Sequence, residues 1–423
     1  MLIKNGRVID PASKTDKKAD VLIKGDIVEK IEGDIPESEA EGEEIIDAAG
    51  LIVCPGLVDV HSHFRDPGQT EKEDLASGEA AAIAGGYTSV VLMANTDPAI
   101  DSVAMLNSNI KRTMDSHIHI YHCAAVTKSR QGRSLTNMKE LFRSGAPGFT
   151  DDGSPIIDPN IAREAMKEAA LIGAPLSFHE EDPAYISEAG INSGKIAERF
   201  GLGGADRRAE ISMTKRDIDI ALEVGAKIDI QHVSAAETVD IIRQAKKRDT
   251  RGLIHAEATP HHFSLTEEAI AVCGTNAKVN PPLRTEEDRQ AIIEGLKDGT
   301  IDMIATDHAP HTGIEKRRTF VAAPSGMIGL ETALALGITN LVKTGCIGMM
   351  KLIELMSLNP AMFYGFRAGR LRKGGIADIT VFDPDEIWIA KRFASKSSNS
   401  PFLDKELTGK VRYTIAGGKI ANL

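Results

Sequence analysis

Eight times between residues 55 and 365 a short apolar run closes on polar residues and gives way to a stretch with helical spacing. The runs end near His61 and His63, Ala94-Asn95-Thr96, Ala124-Ala125-Val126-Thr127, Thr150-Asp151-Asp152, Phe178-His179-Glu180, Gln231-His232-Val233, Ala258-Thr259-Pro260 and Ala305-Thr306-Asp307-His308. Segments 71–84, 158–172, 205–223, 235–247 and 286–297 repeat their apolar residues with the helix period. Eight β-then-α units predict an α/β fold, a (β/α)8 TIM-type barrel, with its chemistry at the C-terminal ends of the strands. A doubly wound sheet competes, but it explains less well why polar residues recur at so many strand ends.

The flanks read differently. The first fifty residues hold the β-like runs Met1-Leu2-Ile3-Lys4, Asp20-Val21-Leu22-Ile23-Lys24 and Ile27-Val28-Glu29-Lys30-Ile31, punctuated by Gly6, Gly25, Gly33 and Pro36. The last sixty return to that style at 377–383 and 409–415. Neither end has enough strands for a core, so both together are expected to build one small β-sandwich. The expected division is 1–54 and 366–423 for the sandwich and 55–365 for the barrel, within reach of a 423-residue chain.

A net charge of −11 argues against general nucleic-acid or anionic-membrane binding. No apolar run approaches a membrane span, and Met1-Leu2-Ile3-Lys4-Asn5-Gly6 lacks a signal-peptide layout. Cys54, Cys123, Cys273 and Cys346 are scattered, as expected of reduced thiols in a cytoplasmic protein.

His61 and His63 end the first barrel run, and residues i and i+2 of a strand share a face, so both imidazoles can reach one metal ion. Alone this is weak, since His117 and His119 have the same spacing and nothing site-like around them. Reading the other strand ends adds Asp152, His179, His232 and Asp307. Four histidines and two carboxylates exceed the needs of one tetrahedral zinc and suit two ions. Asp152 is the natural bridge, because a carboxylate can give one oxygen to each ion. Asp307 could touch one ion and still accept a proton.

The run Gly56-Leu57-Val58-Asp59-Val60-His61-Ser62-His63-Phe64-Arg65-Asp66-Pro67-Gly68 resembles the first-strand signature of cyclic amidohydrolases in the amidohydrolase superfamily. Ala305-Thr306-Asp307-His308-Ala309-Pro310-His311 resembles the eighth-strand signature of dihydroorotases in that group. Val279-Asn280-Pro281-Pro282-Leu283-Arg284 and Phe149-Thr150-Asp151-Asp152-Gly153 are similar to the long-form bacterial members. The likeness spans nearly the whole chain, with one departure at Ala94, where the family commonly has proline.

This resemblance implies two Zn2+ per subunit, with His61, His63 and Asp307 on one ion, His179 and His232 on the other, and Asp152 bridging. It implies reversible hydrolysis of (S)-dihydroorotate to N-carbamoyl-L-aspartate in de novo pyrimidine biosynthesis, with Asp307 as the proton shuttle. Hydantoinases and allantoinases usually bridge their metals with a carboxylated lysine, and 147–153 contains none. Their substrates mostly lack a ring carboxylate, which would leave Arg65 little to hold. A non-catalytic partner subunit of aspartate transcarbamoylase typically loses ligands, and all six are present here. A homodimer is expected, and association with aspartate transcarbamoylase stays open.

Arg65, two residues beyond His63, is expected on the same strand face, gripping the substrate carboxylate through paired hydrogen bonds. The resemblance adds Asn95 and His311 to that clamp, His63 to the substrate contacts, and Asn280, Ser325 and Gly326 to the polar edge of the ring. The 311–326 loop could close over the substrate. His308, His255, His261 and His262 are expected to orient or support neighbours. Lys72-Glu73-Asp74 reads as a solvated helix face and Lys316-Arg317-Arg318 as a solvated lid.

Overall fold

The computed structural model describes residues 1–421 and contains the expected barrel. Strands Leu57–Ser62, Tyr87–Leu92 and His119–His122 lie parallel and adjacent. Phe149 holds the fourth position through single parallel bridges to Ala124 and Leu176. Leu176–Phe178, Ile228–Ile230, Ile254–Ala258 and Met303–Ile304 continue the order. A parallel bridge between Ser62 and His308 closes the ring, and the His63 N–H donates to His308 O at 2.9 Å. Closure removes the sheet edges and gathers all the strand ends at one mouth.

The helices fall near their expected places: Leu75–Ala84, Pro159–Ile172, Arg208–Val224, Ala236–Arg248 and Glu286–Asp298. The first starts late because the Asp74 carboxylate accepts from the Ser77 N–H at 2.9 Å and caps it. Gly78 on this helix lies against Phe64, whose ring a Cβ would approach to 2.5 Å. That close packing anchors the segment just beyond His63.

The solvated reading of Lys72-Glu73-Asp74 fails at its centre. Glu73 is fully buried, facing His308 Nε2 at 3.3 Å, accepting the Lys396 N–H at 3.0 Å and taking the hydroxyls of Ser77 and Ser395. A buried carboxylate is tolerated when this many donors meet it. His308 has the orienting part expected of it, with Nδ1 also accepting the Gly329 N–H at 3.1 Å.

Both chain ends build one eight-stranded sheet. Ile52–Pro55 joins the halves, pairing in parallel with Leu2–Asp10 and antiparallel with Ile379–Ile389. Seven strands form one hydrogen-bonded path, with Ile45–Asp47 paired beside Leu2–Asp10, and the sheet curls over a core, since Val28 N–H reaches Gly375 O at 2.9 Å near its far end. Residue alternation assigns the faces: Val53 and Val381 enter this core, while Ile52, Cys54 and Phe382 pack with the barrel. Gly6, read as a break, sits inside Leu2–Asp10 at a register shift, where a Cβ would come 2.5 Å from Val53. Among the described residues no helix is long and apolar enough to cross a membrane.

Candidate metal centre and active site

At the barrel mouth the four sequence-selected histidines converge on Asp152, and Asp307 faces two of them. Asp152 Oδ1 lies 3.3 Å from His61 Nε2, 3.5 Å from His179 Nδ1 and 3.9 Å from His232 Nε2. Its Oδ2 lies 3.5 Å from His63 Nε2. Asp307 Oδ1 faces His63 Nε2 at 3.1 Å and His61 Nε2 at 3.6 Å. Two overlapping triads, His61 with His63 and Asp307, and His61 with Asp152 and His232, each hold their ligand atoms within 4.8 Å. All six residues are buried.

The donor set fits a divalent cation. His61 Nε2 is buried with no hydrogen-bond partner, although carboxylate oxygens surround it. His179 Nδ1 and His232 Nε2 point at each other across 2.9 Å. Burial opposes a charge on His61, yet Glu257 and Asp152 drive its pKa well above the ordinary value. Burial likewise opposes protonation of His179, and Asp152 and Glu181 nonetheless push it up to about 10. Burial and the neighbouring His179 hold His232 well below the usual range. The carboxylates therefore demand positive charge at the centre, and nitrogen and oxygen ligands of this kind suit zinc and related ions.

A cavity of about 470 Å3 opens above the cluster, lined by Asp152, His179, His232 and Asp307. The expected substrate residues His63, Arg65, Asn95, Asn280, His311, Ser325 and Gly326 also line it, while His61 is buried beneath. Asn95 bridges His63 Nδ1 (2.9 Å) and Asp152 Oδ2 (2.9 Å), so the alanine before it has not displaced it. Asn280 Oδ1 and His311 Nδ1 are buried without partners. Burial, then the charges of Arg65, Lys316 and Lys72, bring His311 down to about 2, which marks a positive rim.

Two expectations about this rim need correction. The first strand stops at Ser62, so Arg65 is not placed by strand alternation; a left-handed backbone, φ 57°, turns it toward Pro310 O (3.3 Å) and His311 (3.5 Å). Lys316 is no solvated lid residue. It is buried, donating to Pro324 O at 3.0 Å and Gly326 O at 2.9 Å, while Arg317 and Arg318 are exposed. Gly326 N–H donates to Lys278 O at 2.8 Å, and Ser325 O faces His311 Nε2 at 2.8 Å. The peptide groups of Gly326 are thus taken up inside the protein.

Four supporting residues escaped the sequence. Glu257 Oε1 accepts from His61 Nδ1 at 2.6 Å. Glu181 holds His179 Nε2 at 3.0 Å. Asp59 ties the eighth strand to the first through Thr306 N–H at 2.8 Å and Thr306 Oγ1 at 2.6 Å. Arg130 donates to the Asp152 carbonyl at 2.6 Å. Glu257 had a weak signal, a lone carboxylate between two alanines in the strand run Ile254-His255-Ala256-Glu257-Ala258. His232 (φ 35°) and Asp307 (φ 44°) are also left-handed, which costs about 1–3 kcal/mol each and clusters at functional sites.

The fold and the cluster define a metal-site hydrolase barrel, and residues 52–421 match the amidohydrolase family: the chain belongs to it. It is 52% identical over 420 residues to a dihydroorotase of Clostridioides difficile, covering 99% of both chains. It is 48% identical to a dihydroorotase of Lactococcus lactis over 421 residues, 99% of this chain and 98% of the relative. Among solved structures it resembles an L-hydantoinase (dihydropyrimidinase) from Arthrobacter aurescens, with TM-score 0.86, 25% identity and coverage of 99% and 95%. A dihydropyrimidinase from Brevibacillus agri shares the fold at TM-score 0.86 and 22% identity, with 99% and 94% covered.

Proposed function

We propose that this chain is a dihydroorotase, opening the ring of (S)-dihydroorotate to N-carbamoyl-L-aspartate and closing it again in pyrimidine formation. The observation that carries the reading is full-length identity of 52% to a curated dihydroorotase in a chain whose metal-competent cluster centres on an aspartate under a cationic rim. In this reading His61, His63 and Asp307 would hold one zinc ion, His179 and His232 a second, and Asp152 would serve both. A divalent ion held there would supply Lewis-acid chemistry, polarisation of the amide carbonyl and a water pKa lowered from about 15.7 to about 7.

The chain's own residues supply the rest. Arg65 keeps guanidinium N–H groups for the substrate carboxylate, beside His311 and Asn95. Asn280 Oδ1, buried and unpartnered, would accept a ring N–H. Burial pushes the Asp307 carboxyl up, but His61 and His63 more than reverse this and keep it ionised. It accepts a proton as water adds to the acyl carbon, then returns that proton to the ring nitrogen as the C–N bond breaks. Ring closure runs the same transfers backwards. A homodimer and a cytoplasmic location belong to the same reading.

Purified chain with zinc, assayed side by side on dihydroorotate, hydantoin and allantoin, tests it. Turnover of dihydroorotate alone is expected. Preference for hydantoin would move the chain to the branch of its structural neighbours.

A further inference from the structure

The 311–326 segment is built around two ammonium groups. Lys316 Nζ donates to Pro324 O at 3.0 Å and Gly326 O at 2.9 Å. Lys278 Nζ donates to Phe320 O at 2.7 Å, Val321 O at 3.3 Å and Ala323 O at 2.9 Å. Both lysines are buried, and neither has a carboxylate partner within salt-bridge distance among the described residues. Five loop carbonyls therefore take the place of counter-ions. Buried charges are costly unless such dipoles receive them, so the loop's path and the two charges specify each other.

The hold ends at the pocket wall. Gly326 gives its N–H to Lys278 O (2.8 Å), and its own oxygen takes Lys316 and Asn399 Nδ2 (3.1 Å). Its φ is 132°, and a Cβ there would come 2.8 Å from Ala309, so the backbone runs tight against the barrel. Ser325 and Gly326 face the cavity from this anchored turn, and Asn280 follows Lys278 by two residues.

We propose that Lys316 and Lys278 are positioning residues, which fix the Ser325–Gly326 wall of the pocket for an anionic substrate by holding the 320–326 carbonyls. This rests on the dihydroorotase reading only for the identity of the substrate. The charged groups around Lys316 are Lys278 on the 274–278 turn, Glu315 on its own helix, Lys72 paired with Glu315 at 3.2 Å, and Arg65 and His311 at the rim. Burial, and then the charge of Lys278, bring Lys316 down to about 7 against the opposing pull of Glu315. Its charge is present below that pH and lost above it, so the anchor and the positive field at the rim both weaken as pH rises.

The test uses the metal-loaded full chain with the variants K316M and K278M, in which methionine keeps the bulk of the stem and removes every donor. Hydrogen–deuterium exchange of the 319–326 amides reads the anchoring without substrate, and should quicken by about ten-fold or more in each variant while the barrel amides stay protected. In ring opening of dihydroorotate, KM should rise by about ten-fold or more with kcat within about three-fold and metal content unchanged. The parent's KM should climb as pH passes about 7, and that climb should vanish in K316M. Unchanged exchange and unchanged KM in K316M overturn the proposal. Parallel loss of kcat, metal and barrel protection also overturns it, since that outcome makes the lysines merely structural. A parent inactive on dihydroorotate, with exchange responding as expected, would sink the dihydroorotase reading and support the anchoring.

Discussion

His61 Nδ1 and Glu257 Oε1 stand 2.6 Å apart, both side chains fully buried, and this contact aims His61 Nε2 at Asp152 and Asp307. A carboxylate behind a ligating imidazole fixes its tautomer and raises its basicity. Glu257→Gln keeps the shape and removes the charge. We expect a folded protein whose zinc affinity falls about 10–100-fold, read by competition against a chelator. Unchanged affinity would reduce Glu257 to a packing role.

Asp152→Ala removes the group on which four imidazoles converge. The parent, once saturated, should hold about two ions per chain, and the variant should lose at least one. Elemental analysis decides, and only trace metal in active, unchelated parent would end the binuclear reading.

Asp307→Asn preserves size and leaves an oxygen for weak coordination, but cannot carry a proton. Activity should drop by a factor on the order of 10²–10⁴ in both directions with metal retained. Asp307 stays ionised across the working range, and ring opening turns a monoanion into a dianion with release of one proton, so the equilibrium should shift toward hydrolysis as pH rises and toward synthesis as it falls. A variant keeping most of its rate with zinc bound would assign the proton to another group.

Arg65→Lys keeps the charge and loses the paired hydrogen bonds. The cost in kcat/KM for dihydroorotate should be on the order of 2 kcal/mol or more, with metal content unaltered. Equal efficiency would place the carboxylate elsewhere.

Stability should depend on pH through His119, whose Nε2 lies 3.1 Å from Asp378 and ties the third barrel strand to the terminal sheet. The bond to Asp378 raises the His119 pKa, against burial. That stabilisation is complete below about pH 6.5 and is lost as pH rises through the folded-state value. The His119 side chain is 38% exposed, so screening limits the effect to about 1 kcal/mol or less. Denaturant midpoints of His119→Gln and parent should converge at high pH; a constant gap would remove the ion pair from the account.

Period and spacing in the chain determined the barrel, its helices and the six polar residues that converge at its mouth, because strand alternation and strand ends are local properties that sequence carries directly. The resemblance to known signatures supplied the pocket residues Asn95, Asn280, His311, Ser325 and Gly326. What sequence could not carry were contacts across hundreds of residues. Glu257 meets His61 across 196 positions, Thr306 meets Asp59 across 247, and Ser395 meets Glu73 across 322. Arg65 reaches the pocket through a left-handed turn that strand geometry does not predict. Lys316 and Glu73, charged and flanked by charges, read as solvent-facing until the fold surrounds one with carbonyls and the other with donors. Burial of a charge depends on which partners the closed barrel brings to it, and only the tertiary structure decides that.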